Sequence, residues 1–391
     1  MQIETRLNLK PEKDRPIRQR HHWIFSGAVE QLPPYEEGDA AEVYSHSGEK
    51  LGIALLNKGG SIVGQMVAFG SESLEEALVS RIREAAALRR RLFNPFTTNA
   101  FRLINTEGDG IPGLIVDVYN GVFVLQISTS GIERRKEQIL SYLIQECNPR
   151  AVFEKSTSAL RRREGLSEQK QHLYGAPSPQ VDVLENGLAF SVHVLEGQKT
   201  GLFLDQREMR AAVRGLSFQK RVLNCFSYTG GFSIAALAGG ASFVDSVDIS
   251  AKCGPALETN LALNQFSPEK HRFIAGDAID FIINQPLHYD VVILDPPAFA
   301  KKRQDLPKAS HAYRKLNRKT LEKLPSGALL LTCSCSSQVD DKLFQTILFK
   351  ASLEANRPVR ILGRHRQAAD HPISMYHPES AYLKSLLLEV L

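Results

Sequence analysis

Cysteine is scarce in this chain, with five residues in 391, at positions 147, 225, 253, 333 and 335. That is too few for a disulfide framework in so long a protein, and a reducing cytoplasm fits best. Cys333 and Cys335 stand two apart without a further cysteine or histidine nearby, so no metal site is expected there. Long apolar runs are missing too. Val291–Leu294 and Ala328–Leu331 are strand-sized, against the roughly 18 residues that a membrane span requires. The opening Met-Gln-Ile-Glu-Thr-Arg carries an early acid and no apolar stretch behind it, which argues against secretion. Charge of one sign is weak: a net +5 and a pI near 8.8 permit a polyanionic partner without requiring one. What is present, 43% hydrophobic and 23% charged residues with 27 Gly and 19 Pro, excludes disordered and fibrous classes. At ~150 residues per domain the length predicts two or three domains.

Residues 1 to about 70 read as short strands (Ala41–Tyr44, Leu51–Leu56, Ser61–Val67) punctuated by turns, the pattern of a small β-barrel. Ser73 to Leu92 reads as a helix, with Ser73 as N-cap, Glu75 and Glu76 at its positive end and Arg89, Arg90 and Arg91 at its negative end. A second unit offers a strand over Gly113–Tyr119, an Asn120-Gly121 hairpin turn and a returning strand, Val122–Ile127. A helix over Glu133–Glu146 and a strand at Ala151–Glu154 follow, and the polar, Arg-rich stretch Ser156–Asp182 reads as a loop or hinge. From about residue 185, strands (221–224, 243–248, 271–275, 289–295, 327–332) alternate with helices (232–238, 250–264, 278–284, 314–324). This alternation predicts a parallel, doubly wound α/β sheet, in which ligands lie beyond the carboxyl ends of the strands.

Four motifs fall at such ends. Asn224-Cys-Phe-Ser-Tyr-Thr-Gly-Gly-Phe-Ser runs from a strand through a glycine pair into a helix, where backbone can approach a ligand closely and N–H groups can meet a carboxylate or phosphate. With Ser at 233 and Ile at 234 it is not the dinucleotide Gly-x-Gly-x-x-Gly, which disfavours a nicotinamide cofactor. Asp248 ends the next strand, where an acid suits a ribose diol; helix capping is the alternative role for it and for Ser250. Asp277 repeats the arrangement one strand later. Asp295-Pro-Pro-Ala-Phe stops a buried strand rigidly, because two prolines fix φ and remove two donors. Leu331-Thr-Cys-Ser-Cys-Ser ends the last of these strands with two thiols, for which buried packing is the ordinary role and nucleophilic chemistry the alternative.

Together these residues resemble the class I S-adenosylmethionine-dependent methyltransferases, and more narrowly the bacterial ribosomal RNA large subunit methyltransferase I family. The resemblance spans nearly the whole chain. It is carried by Arg20-His-His-Trp-Ile-Phe-Ser-Gly-Ala-Val (with His22 where the family has proline), Glu107-Gly-Asp-Gly-Ile-Pro-Gly-Leu-Ile-Val-Asp and Gln198-Lys-Thr-Gly-Leu-Phe-Leu-Asp-Gln-Arg. The strand-end motifs above and Arg366-Gln-Ala-Ala-Asp-His-Pro complete it.

The resemblance implies a PUA-like RNA-binding barrel over 1–72, a helical linker over 73–95, a central α+β domain over 96–185 and a Rossmann-like methyltransferase sheet over 186–391, ending in an antiparallel strand. It implies S-adenosylmethionine as cofactor. Phe226, Tyr228, Thr229, Gly230 and Gly231 would face its methionine part, Asp248 its ribose and Asp277 its adenine side, with Ile249, Ser250, Ala278 and Asp295 also contacting it. The implied activity is C5 methylation of a cytosine in 23S rRNA, free or in an assembling large subunit, with Cys335 as the thiolate and Asp295 on the base's N3/N4 edge. Cys333 is expected to pack. RNA contacts are expected from Arg18, Arg20, Trp23, Lys199, Arg207, Tyr313 and Arg314 and from the basic runs at Lys13–Arg20, Arg161–Arg163 and Lys301–Arg303. Two other readings stand beside this one: a guanine ring nitrogen as target, which needs no thiol, and a non-catalytic RNA-binding assembly factor. No membrane partner is expected, and the oligomeric state is open, a homodimer being one option.

Overall fold

The computed structural model describes residues 3, 5–58, 60–176, 178–300 and 302–391. Its contacts group into two units: Met1–Val183 with Val192–Leu204 and Ala369–Ser380, and Leu184–Ser191 with Asp205–Ala368 and Ala381–Leu391.

The first unit opens with β1 (Thr5–Asn8), α1 (Arg15–Arg18), β2 (Trp23–Phe25), β3 (Ala40–Tyr44), β4 (Lys50–Leu56) and β5 (Ile62–Phe69), joined in the order β1-β3-β4-β5-β2. Alternation turns Leu7, Val43, Ala54, Leu56, Val63 and Met66 into one apolar cluster. Helix α2 (Leu74–Leu92) begins as its sequence predicts. The Ser73 hydroxyl accepts from Glu76 N at 3.2 Å and the Glu76 carboxylate accepts from Ser73 N at 3.0 Å, a reciprocal cap. Arg89 lies in the last turn of α2, as expected, but does not face solvent. It is buried and grips Asp109 through two bonds of 2.5 and 2.8 Å.

A second five-stranded sheet follows: β6 (Ala100–Asn105), β7 (Leu114–Tyr119), β8 (Val122–Ile127), then α3 (Ser130–Glu133), α4 (Lys136–Cys147), β9 (Ala151–Ser156), α5 (Ala159–Arg163) and β10 (Gln169–Gly175), ordered β10-β9-β8-β7-β6. Asn120 (φ 47°) and Gly121 (φ 79°) both take left-handed backbone between β7 and β8, the two-residue turn their sequence predicts. The stretch Ser156–Asp182, expected as a loop, instead contains α5 and β10. Strand β10 is an edge strand with polar residues on both faces, so it lacks the apolar alternation by which strands are recognised.

The hairpin β11 (Gln180–Glu185) and β12 (Leu188–His193) precedes the seven-stranded sheet and its helices. That sheet comprises α6 (Arg207–Leu216), β13 (Arg221–Cys225), α7 (Gly231–Ala238), β14 (Phe243–Asp248), α8 (Cys253–Leu263), β15 (His271–Ala275), α9 (Ala278–Asn284), β16 (Val291–Leu294), α10 (Leu306–Lys323), β17 (Leu329–Ser334), α11 (Asp341–Glu354), β18 (Val359–Arg366) and β19 (Lys384–Val390). The order is β15-β14-β13-β16-β17-β19-β18, parallel throughout except for β19, which runs antiparallel to both of its neighbours. Helix α10 starts at Leu306 rather than Arg314, because Pro307 lies in the first turn, where a missing N–H costs nothing. The register aligns Cys225 with Val247 and Leu294, and Leu294 with Thr332. Phe226, Asp248, Asp295 and Cys335 therefore leave adjacent strands on one rim, on either side of the point where strand order reverses.

Candidate active site

The loop after β13 is held in an unusual backbone conformation. Phe226 (φ 61°), Tyr228 (φ 47°) and Gly230 (φ 81°) all adopt left-handed φ. Only for glycine is that cheap, and the two other residues are fixed by neighbours. Tyr228 N donates to Asp248 Oδ2 at 2.8 Å, Ser227 N to Val247 O at 3.0 Å, and Asn260 Nδ2 to Thr229 O at 2.9 Å. A Cβ at Gly230 would lie 2.6 Å from Leu257 Cγ, so this turn admits no side chain. Below it, Asn224, Ser233, Ser246 and His271 form a buried ladder of hydrogen bonds 2.6–2.9 Å long. Burial holds the His271 imidazole down at about 4, so it stays neutral there.

Asp248 is buried, and its second oxygen accepts from Ser250 N at 2.9 Å. Next to it Ile249 is 76% exposed, a large apolar side chain offered to solvent at the strand end. Asp277 is exposed and caps α9, accepting from Ile279 N at 2.7 Å and Asp280 N at 3.2 Å, while Ala278 is buried behind it. Gly276 N donates to Asp248 O at 2.9 Å and ties this loop to the Asp248 turn.

Across the strand-order reversal, Gln206 Nε2 donates to Asp295 Oδ1 at 2.9 Å. The half-buried Cys335 thiol reaches the carbonyl of Pro296 at 3.8 Å, which puts the sulfur beside the Asp295-Pro-Pro turn. Cys333 is 0% exposed, and burial pushes its thiol well above the usual range. Of the two thiols, only Cys335 is open to a ligand. Behind it Lys384 Nζ donates to Ser336 O at 2.6 Å, and Tyr382 OH donates to Asp205 Oδ2 at 2.6 Å. Gln206 and Lys384 were not singled out from the sequence. Gln206 lies inside the Asp205-Gln-Arg string, and Lys384 is the one charge in the otherwise uncharged run Leu383–Leu388, a signal available in retrospect.

The residues expected to meet RNA are scattered. Arg18 pairs with Asp14 and Glu49, both at 2.6 Å, on the surface of the first unit. Arg20 is exposed with its guanidinium 5.7 Å from the Phe69 ring. Trp23 is half-buried and donates to Glu107 Oε1 at 2.9 Å. Lys199 is exposed, its ammonium 4.3 Å from the Phe203 ring. Arg314 pairs with Glu354 at 3.3 Å. Three expectations need correction. Tyr313 is 0% exposed, packs on Phe299 and reaches Ser336 Oγ at 3.1 Å, so it cannot stack on a nucleic-acid strand. Arg207 is 3% exposed beside Glu185 at 3.5 Å, and Arg161 is buried against Glu133 at 2.7 Å. Acids distant in sequence, the buried Glu185 and the half-buried Glu133, draw these guanidinium groups inward. Lys301 of the third basic run lies outside the described residues. In the first unit, His21, His377 and Glu379 come within 4.8 Å of one another. His21 Nδ1, however, accepts from Trp23 N at 3.2 Å, so in the neutral ring the nitrogen facing Glu379 carries the proton and has no lone pair for a metal.

The chain was compared with known proteins. A model of the S-adenosylmethionine-dependent methyltransferases matches residues 145–370, and a PUA-like domain model matches 7–69. "Ribosomal RNA large subunit methyltransferase I" of Alteromonas mediterranea is 38% identical over 394 residues, 99% of each chain. That of Vibrio vulnificus is 37% identical over 403 residues, the whole of both. The chain belongs to the ribosomal RNA large subunit methyltransferase I family. Among solved structures, one provisionally assigned methyltransferase complexed with SAH superposes with a TM-score of 0.86 at 25% identity, covering 99% of this chain and all of that one. A Streptococcus mutans protein, provisionally assigned as a SAM-dependent methyltransferase, gives 0.84 at 24% over the same shares and shares the fold.

Family membership makes S-adenosylmethionine the cofactor, and the rim has the chemistry to take it. Ser227 Oγ is buried without a hydrogen-bond partner among the described residues. Asp248 presents a carboxylate fixed by two backbone donors, and Ile249 leaves an exposed apolar side chain next to it, a pairing that suits a nucleoside.

Proposed function

We propose that this protein methylates C5 of a cytosine in large-subunit ribosomal RNA, with Cys335 adding covalently to the base. The observation that carries the reading is the position of Cys335, half-buried against the Pro296 carbonyl of the Asp295-Pro-Pro turn while Cys333 is sealed in the core. The residues assigned to the cofactor are Phe226, Tyr228, Thr229, Gly230 and Gly231 for the methionine part, Asp248 for the ribose and Asp277 for the adenine side, with Ile249, Ser250 and Ala278 beside them. The barrel strands over 1–72 serve RNA binding, with Arg18, Arg20 and Trp23 as contacts.

Cytosine C5 is too weak a carbon nucleophile to attack a methyl sulfonium unaided. Addition of the Cys335 thiolate to C6 breaks the C5–C6 π bond and leaves an enamine with electron density on C5. Asp295, its carboxyl edge held by Gln206, hydrogen-bonds the N3/N4 edge and, in its acid form, gives its proton to N3 as that adduct forms, taking it back when the sulfur departs. The cofactor supplies an electrophilic methyl group to C5. Removal of the C5 proton then re-forms the C5–C6 double bond, and the Cys335 sulfur departs with its bonding pair. Because C5 and C6 are stacked in paired RNA, the target base is unpaired or flipped out.

The test is mass spectrometry of rRNA nucleosides from cells with and without the gene, mapped to position. A 5-methylcytidine lost with the gene, and not restored by Cys335→Ala, supports the reading. A methylated guanine that Cys335→Ala still restores would replace it with nitrogen methylation, and calorimetry showing no S-adenosylmethionine binding would favour a non-catalytic assembly factor.

A further inference from the structure

Lys384 is a buried cation that the fold leaves without an acid of its own. Its side chain is 5% exposed on β19, opposite Ser334 on β17 and Arg366 on β18. Its single hydrogen bond among the described residues goes to the carbonyl of Ser336, one residue past Cys335. Among the described residues it makes no ion pair with a carboxylate, and the two nearby acids, Asp341 and Asp340, are engaged elsewhere. Asp341 is held by Arg366 at 2.6 Å, and Asp340 caps α11 by accepting from Leu343 N at 2.7 Å. An ammonium taken from water without a counter-charge is expensive, and the anion that can relieve it here is the sulfur of the Cys335–Ser336 turn.

We infer that Lys384 is the positioning residue that keeps Cys335 as a thiolate, the two forming a lysine–thiolate pair at the end of β17. The inference rests on the covalent reading above for its purpose, and on the burial and bonding of Lys384 for its geometry. Burial pushes the Lys384 ammonium down to about 8, and of the charges that oppose this, Cys335 counts for most, ahead of Asp341 and Asp340, while Arg366 acts the other way. Such a lysine is still largely charged at pH 7 and gains its counter-ion when the thiol loses its proton to solvent. During turnover the same cation is deprived of its partner when sulfur bonds to C6 and regains it on elimination, so it favours release of the methylated base.

The test measures thiol ionisation directly and independently of methyl transfer. Apo protein is alkylated with iodoacetamide from pH 5 to 10, and the rate at the Cys335 peptide is followed by mass spectrometry. We expect a midpoint below the ~8.5 of a free thiol for the wild type. In Lys384→Met the midpoint should rise by at least one unit and the rate at pH 7 should fall about tenfold, with Lys384→Arg in between. An unchanged midpoint in folded Lys384→Met would overturn the pairing. If that variant does not fold, a wild-type midpoint at or above 8.5 overturns it equally. Formation of 5-methylcytidine by Cys335→Ala would instead overturn the covalent reading and leave the ionisation result standing.

Discussion

Gly230→Ala probes the turn on which we propose the cofactor site is built. Gly230 sits at φ 81°, and left-handed backbone costs an alanine about 1–2 kcal/mol. The new Cβ would meet Leu257 Cγ at 2.6 Å and Cδ1 at 2.7 Å. Leu257 is fully buried, so relief requires moving α8 or forcing a poor rotamer, which costs about 1–3 kcal/mol. Together the loss is roughly 2–5 kcal/mol of stability, concentrated in the loop that carries Phe226 to Gly231. Urea unfolding followed by circular dichroism reads the loss, and calorimetry should show S-adenosylmethionine affinity reduced at least tenfold. Gly231→Ala is the control. Gly231 is not in left-handed backbone and its Cβ would meet only the Arg210 side chain, nearest at 3.1 Å, so its stability should stay within about 1 kcal/mol of wild type. A double-mutant cycle with Leu257→Ala should return part of the clash energy, about 1–3 kcal/mol. Equal midpoints and affinities for Gly230→Ala and wild type would refute the reasoning.

Three further outcomes follow from particular contacts. Asp248→Asn removes the charge that we propose meets the ribose while keeping the shape, and should weaken S-adenosylmethionine binding by about 1.5–3 kcal/mol in calorimetry; unchanged affinity would remove Asp248 from the proposed site. Tyr289→Phe leaves the buried Asp245 carboxylate without the 2.7 Å bond from the phenol, and should cost about 1.5–3 kcal/mol in urea unfolding. His22 is pushed down to about 4 by burial, with Nδ1 2.8 Å from the Met66 carbonyl. Its folded-state pKa lies below its unfolded value of 6.5, so the stability it carries is complete above pH 6.5 and is lost as pH falls toward 4. Between pH 7 and 4.5 the wild type should lose about 2–3 kcal/mol more than His22→Gln. Parallel acid limbs for the two proteins would contradict this.

The methyltransferase sheet was legible because its central strands β13, β16 and β17 are buried on both faces and read as largely apolar runs, separated by helices of the right length. Helix α11 was missed although Phe344, Ile347, Leu348 and Ala351 repeat at helical spacing, and β10 was missed because an edge strand needs no apolar face. Motif residues at strand ends were located correctly in order along the rim, since strand register alone places Phe226, Asp248, Asp295 and Cys335 side by side. Partners distant in sequence were not legible. Nothing near Arg161 or Arg207 announces Glu133 or Glu185, which bury them, and nothing near Asp295 announces Gln206. Tyr313 looked available because its neighbours are polar, yet it lies on the inward stripe of α10 with Ala309 and Leu316. Lys384 was hidden for a related reason: a lysine in an apolar strand gains meaning only when the strand opposite ends in a thiol.

The most direct test of the central claim is trapping of the covalent adduct. Purified enzyme with S-adenosylmethionine is incubated with an rRNA fragment carrying 5-fluorocytidine at the position mapped by nucleoside mass spectrometry. Fluorine cannot leave as a cation, so after methylation the sulfur–C6 bond should persist, and tryptic mass spectrometry should find the nucleotide on the Cys335 peptide. Stable methylation of the natural fragment with no adduct at Cys335 in the fluorinated one would contradict the mechanism.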